Sequence, residues 1–254
     1  MEQTVKITLK WVYTPPDFFE EKIIDVLPDF DHVIENGEIT VSMDLDQFTE
    51  STWIQKHLHN ELLNFFKGAL LISQKPFTLN IAGQEILYPD GKKENIIQAA
   101  ASLHTMSSVK VDVVVRDPNG EVTADTKTER LDREIKLGIL SAKYREMDPV
   151  VESILSSFEK SLNNPRTCLV HLYEIRDALA SRFKNEANAE RELGISKEWN
   201  NFGKLANNLP LNQGRHSGKH TGALRDATEG EIFEARKLAI VLIEAYFNYL
   251  EAHS

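Results

Sequence analysis

Arg215, His216, Lys219 and His220 stand within six residues, inside the glycine-bounded stretch GRHSGKHTG from Gly214 to Gly222. A phosphate cradle, a metal clip and an acid–base pair are the chemistries that such a set suits. A Walker-type cradle needs Gly, four residues, then Gly-Lys and Ser or Thr, set between a strand and a helix. Here only three residues separate Gly214 from Gly218, and His220 follows Lys219 where the hydroxyl should stand. A metal clip would use His216 and His220, four apart and so on one helix face. The three glycines disfavour a regular helix, however, and Arg215 and Lys219 would repel a cation. No metal and no cofactor is expected.

Arg215 and His220 together suit acid–base work on a phosphodiester. Histidine titrates near neutrality and can take or deliver a proton at cellular pH. A guanidinium stays charged and binds two non-bridging phosphate oxygens at once. Metal-free cleavage of RNA needs both: a base for the 2′-hydroxyl, and fixed positive charge for the crowded phosphorane. The nucleophile belongs to the substrate, so DNA would be refused. A solvated loop before a capped helix has the same Gly, Ser and Asn content. A module that binds nucleotide or RNA without cutting it would use the same positive charge, and an assembly protein would use the final helix instead.

At RHSGKH the chain resembles the HEPN superfamily, whose signature is Arg, four to six residues and His, often with a polar residue directly after the Arg. The resemblance covers residues 130–254. It implies an all-α bundle of about four or five helices that commonly dimerises, bringing two motifs into one cleft. It further implies a metal-independent endoribonuclease that leaves a 2′,3′-cyclic phosphate, in antiviral defence or as a toxin. By carry-over, His220 is the catalytic histidine, Arg215 the phosphate-binding residue and His216 the supporting polar residue. Lys219 and Arg225 are then candidate RNA contacts. The implied partners are an RNA substrate, a second copy through the helical domain, and an antitoxin or regulatory protein.

Charge agrees with one focused anionic ligand. The 254-residue chain has a formal net charge of −10, which argues against a protein coating nucleic acid through a broad basic surface. Yet between Asn201 and Arg225 there is no Asp or Glu, while Lys204, Arg215, Lys219 and Arg225 are cationic. Cys168 is the only cysteine, which excludes an intrachain disulfide and a cysteine-based zinc site. No apolar run approaches the roughly 20 residues that span a bilayer, and the N-terminus lacks a signal-peptide pattern. The expected setting is the cytoplasm, without membrane contact.

Periodicity divides the chain into an α+β N-terminal domain, residues 1–129, and an all-α HEPN-like bundle, residues 130–254. Val5 to Tyr13 and Gly37 to Leu45 alternate with period two, as half-buried strands do. FTLNIAGQEILY reads as a hairpin turning near Gly83, and KVDVVVRDPNGEVTADTKTE as another turning at Asp117 to Gly120. Thr52 and Gln55 have capping-box spacing ahead of a helical pattern. Later, Asp148-Pro149 marks a helix start, and Pro165 opens a helix with Leu169, Leu172, Tyr173, Leu179 and Phe183 on one face. Thr228 and Glu231, again at capping-box spacing, open the last long helix. His104, Trp11 and Trp53 read as core or surface residues ahead of the alternative that they face a ligand. Glu174, Arg176 and Asp177 either orient the site or form a solvated polar face.

Overall fold

The computed structural model describes residues 5–27, 30–50, 53–97, 112–117, 119–214 and 224–254. Two compact units make up the chain, Met1–Ala142 and Lys143–Ser254. An antiparallel sheet with helices comes first, and a helical region follows. No helix among the described residues is long and apolar enough to cross a membrane.

The first unit is built on β1 (Lys6–Thr14), whose alternation buries Ile7, Leu9, Trp11 and Tyr13. Around it lie β2 (Ile23–Ile24), β3 (Asp31–Glu35), β4 (Glu38–Asp44), β5 (Thr78–Leu87) and β6 (Lys93–Ile97). They form one six-stranded sheet in the order β2-β3-β4-β1-β5-β6, with every pairing antiparallel. A short α1 (Leu45–Glu50) precedes α2 (Ile54–Ser73), whose Phe66 packs on Tyr13 at 5.2 Å and on Phe18 at 5.1 Å between ring centroids. Trp11 is fully buried in this core and Trp53 is exposed, while His104 lies outside the described residues.

One local expectation fails here, for a visible reason. Gly83 is no turn: β5 runs straight through it, paired to β1 on one side and β6 on the other. The β1–β5 register slips between Lys10 and Trp11, and Gly83 has a φ of +148° where a Cβ would strike the Ile96 carbonyl. The glycine serves a bulge and a close backbone approach, which a strand pattern alone does not separate from a turn. The real reversal is at Tyr88 to Lys92, where Gly91 N–H donates to the Tyr88 carbonyl at 2.9 Å. The capping box expected at Thr52 and Gln55 falls on Thr52, which lies outside the described residues; α2 itself starts at Ile54, after Trp53.

The hairpin expected around Asp117 to Gly120 is present as β7 (Val114–Arg116) and β8 (Val122–Asp125), although Pro118 lies outside the described residues. It leads directly into α3 (Thr126–Tyr144). This helix packs on α2: Ser141 Oγ donates to the Asn64 carbonyl at 2.7 Å, and Phe65 lies over Gly138. The division between the two compact units falls near the end of α3.

The second unit contains α4 (Pro149–Asn163), α5 (Cys168–Arg182), α6 (Glu186–Leu193), α7 (Ser196–Gly203) and α8 (Glu229–His253). Asp148 caps α4 by accepting from Val150 N–H at 2.7 Å, with Pro149 in the first turn. A 3₁₀ turn, Pro165–Thr167, precedes α5. The face expected on α5 is the buried one: Leu169, Leu172, Tyr173 and Leu179 are within the core. Sequence reading passed over α6, although Asn185 caps its start and Gly194, left-handed at φ +67°, ends it.

Gly68 tests the α2–α3 contact. In a free helix, Gly→Ala gains about 1 kcal/mol. Here a Cβ would collide with the Leu137 carbonyl, which is backbone and cannot step aside alone. Gly68→Ala is expected to destabilise the protein by about 1–3 kcal/mol in chemical denaturation, and a stabilised variant would contradict this packing.

Candidate functional site

The approach to the glycine-bounded stretch is laid down by α5, α7 and α8. Arg176 on α5 points into the helical core, only 8% exposed. Its guanidinium donates to Glu186 Oε2 at 2.7 Å and to the Tyr173 hydroxyl, and lies 4.9 Å from the Trp199 ring centroid. Gly203 ends α7 against this group: a Cβ there would meet Arg176 Cζ at 3.3 Å. A π-helical turn, Lys204–Asn208, then carries the chain off α7. Of the three residues considered on α5, Arg176 therefore serves the core. Glu174 accepts from Ser157 Oγ at 3.1 Å, and Asp177 is exposed.

Beyond the π turn the chain forms a neck. Leu211 is fully buried and makes an isolated parallel bridge with Arg225. Asn212 N–H donates to the Arg225 carbonyl at 2.9 Å, and Arg225 N–H donates to the Pro210 carbonyl at 3.1 Å. Side chains add a second layer. Asp226 Oδ1 accepts from Asn212 Nδ2 at 2.8 Å and Gln213 Nε2 at 3.3 Å, while Gln213 Oε1 accepts from Ala227 N–H at 2.9 Å. The chain leaves this neck at Gly214 and returns to it at Arg225.

Arg215, His216, Lys219 and His220 lie outside the described residues. Arg225 is described, and its guanidinium is engaged: Nη1 donates to Glu231 Oε2 at 2.8 Å and Nη2 to Oε1 at 2.6 Å. Two parallel charge-assisted bonds fix it to the first turn of α8. The Thr228–Glu231 capping box is formed as expected, so Glu231 holds both the helix start and the return arm of the neck. The Arg225 bond, then the Thr228 backbone bond, draws the Glu231 carboxyl down to about 2. The role of Arg225 spans six residues, outside any helical spacing, and no sequence signal marked it.

The far half of α8 is fixed separately. Tyr246 donates to Asp148 Oδ2 at 2.8 Å and accepts from Arg182 Nε at 3.2 Å. Burial foremost pushes its hydroxyl up to about 12. An open groove of about 450 Å³ runs between α6 and α8, floored by Leu193, Ile195, Val241 and Ala245. Arg225 does not line it.

Glu231 yields a direct check of the neck. Because its folded value lies below the ordinary 4.5, its contribution is full above that pH and is lost as pH falls toward 2. Carboxyl-carbon NMR titration is expected to place its midpoint near 2. Arg225→Leu should move that midpoint up toward the ordinary carboxylate range, and an unmoved midpoint would contradict the pairing.

Comparison of the chain with family models, curated proteins and solved structures finds no match.

Proposed function

We propose that the protein is a metal-independent endoribonuclease of the HEPN type, using Arg215 and His220 on an RNA phosphodiester. The supporting observation is the placement of this pair in sequence: it falls between two arms of chain that are tied together at the base of a capped helix, in the helical unit. His220 takes the proton of the 2′-hydroxyl, and the 2′-oxygen attacks phosphorus. Arg215 neutralises the phosphorane oxygens, with His216 supporting it. The 5′-oxygen leaves, takes a proton from water, and the other product ends in a 2′,3′-cyclic phosphate.

In this reading Lys219 adds positive charge along the RNA. Arg225 acts mainly through Glu231 and the neck. A second copy joins through the helical unit, so that two motifs share a cleft. The N-terminal unit senses a signal or binds a regulatory protein such as an antitoxin, in defence or toxin biology.

The test is cleavage of mixed RNA in excess chelator by the parent, Arg215→Ala and His220→Ala. Loss of a general acid–base group costs about 10²–10⁴-fold, so His220→Ala is expected to fall by that much while chelator changes nothing. Cleavage unaltered by both substitutions would refute the assignment. RNA binding that weakens with salt and with Arg215→Ala, but with no cutting in any state, would favour a non-catalytic binding module instead.

A further inference from the structure

We infer that Phe233 and Arg236, three residues apart on one face of α8, form a contact surface for single-stranded RNA. The guanidinium takes a backbone phosphate and the ring stacks on a base. The inference rests on RNA being the ligand, as proposed above, and not on where Arg215 and His220 stand.

Arg236 is a half-buried cation that pairs with no carboxylate among the described residues, and its Nε is buried without a hydrogen-bond acceptor. Arg130 and Arg176 also bury an Nε in this way, yet each guanidinium holds a carboxylate, of Glu20 and Glu186 respectively. Burial draws the Arg236 guanidinium down from its ordinary value, and the Cys168 thiol opposes this only in part. Residues 215–223 of the same unit contain no Asp or Glu. A desolvated cation without an anion is costly, so a ligand that brings negative charge relieves a cost that the fold leaves standing.

The surroundings point the same way. Cys168 opens α5, and Thr167 before it makes no side-chain capping bond. The positive end of a helix dipole disfavours a cation and favours an anion. Nearby carboxylates on α8 are engaged: Glu231 holds Arg225, and Glu234 faces Lys237 at 4.0 Å. Two exposed cations add to the charge, Arg166 two residues before Cys168 and Lys237 next to Arg236. Phe233 is 62% exposed, one turn before Arg236. Aromatic faces set beside cations are what the bases and backbone of a single strand use.

The probe is a single-stranded 2′-O-methyl oligoribonucleotide of about 12 nucleotides, which keeps phosphates and bases but offers no 2′-hydroxyl to attack. Binding is read by fluorescence anisotropy over a range of salt. Arg236→Met is expected to raise Kd about 10-fold and to flatten the salt slope by about 0.7, as one lost phosphate contact does. Without RNA, its denaturation midpoint should equal or exceed the parent's, because the unmatched charge is gone. Phe233→Ala should raise Kd about 5- to 100-fold at an unchanged slope, and Phe233→Trp should bind within about 3-fold of the parent.

Unchanged affinity in Arg236→Met or in Phe233→Ala would overturn the inference. So would a lower denaturation midpoint for Arg236→Met, which would make the guanidinium a structural group, or a parent that does not bind the probe. Failure of the nuclease reading looks different: cleavage would be indifferent to Arg215→Ala and His220→Ala while probe binding still fell in Arg236→Met and Phe233→Ala, and the contact surface would stand.

Discussion

Stretches of chain far apart in sequence keep a fixed spacing only where contacts tie them together. The Leu211–Arg225 neck ties residues 210–213 to residues 225–227. No contact in it is strong by itself, since exposed hydrogen bonds and ion pairs contribute about 1 kcal/mol or less. Its definition comes from layering: a buried leucine, two backbone bonds, an amide reaching across, and a bidentate pair seated on a helix cap. Each layer restricts the geometry available to the next.

The layers lead back to the helical core. Leu211 is buried there, and the π turn before it departs from α7 where Gly203 abuts the Arg176 guanidinium. Arg176 is in turn held by Glu186 on α6 and the rings of Tyr173 and Trp199. An aromatic-walled cation, costly to bury without such partners, thus helps to define where the chain leaves α7. On the return side, Glu231 serves as N-cap partner and anion at once. The macrodipole of α8 favours that charge further. The N-terminal unit rests on a different principle, the close approach of α2 and α3 at Gly68 and Gly138 beside a sheet whose central strand alternates strictly.

What the sequence made legible was what depends on local rules. Asp148-Pro149 and Thr228-x-x-Glu231 start helices because a capping side chain and its target lie three residues apart or fewer. The β1 and β4 alternation is likewise a property of one strand. Gly83 was misread because a bulge and a turn place the same demand on one residue, and the difference lies on β1 and β6. Arg225 reads from sequence as a candidate RNA contact, and its pairing with Glu231 goes unseen because the partner is six residues away, a separation that no periodic rule covers. Gln213 and Asp226 had no signal at all: an amide and a carboxylate thirteen residues apart meet only once the neck has closed. The candidate pair itself, Arg215 with His220, is a reading from chemistry, spacing and resemblance, and both residues lie outside the described ones.

The central claim is that the 2′-hydroxyl of the substrate is the nucleophile. The most direct measurement is mass spectrometry of the ends produced when the protein cuts a defined oligoribonucleotide. The account predicts a 2′,3′-cyclic phosphate on one fragment and a 5′-hydroxyl on the other, with no cut where the ribose is 2′-deoxy. A 3′-hydroxyl with a 5′-phosphate, or cleavage at the 2′-deoxy position, would contradict it.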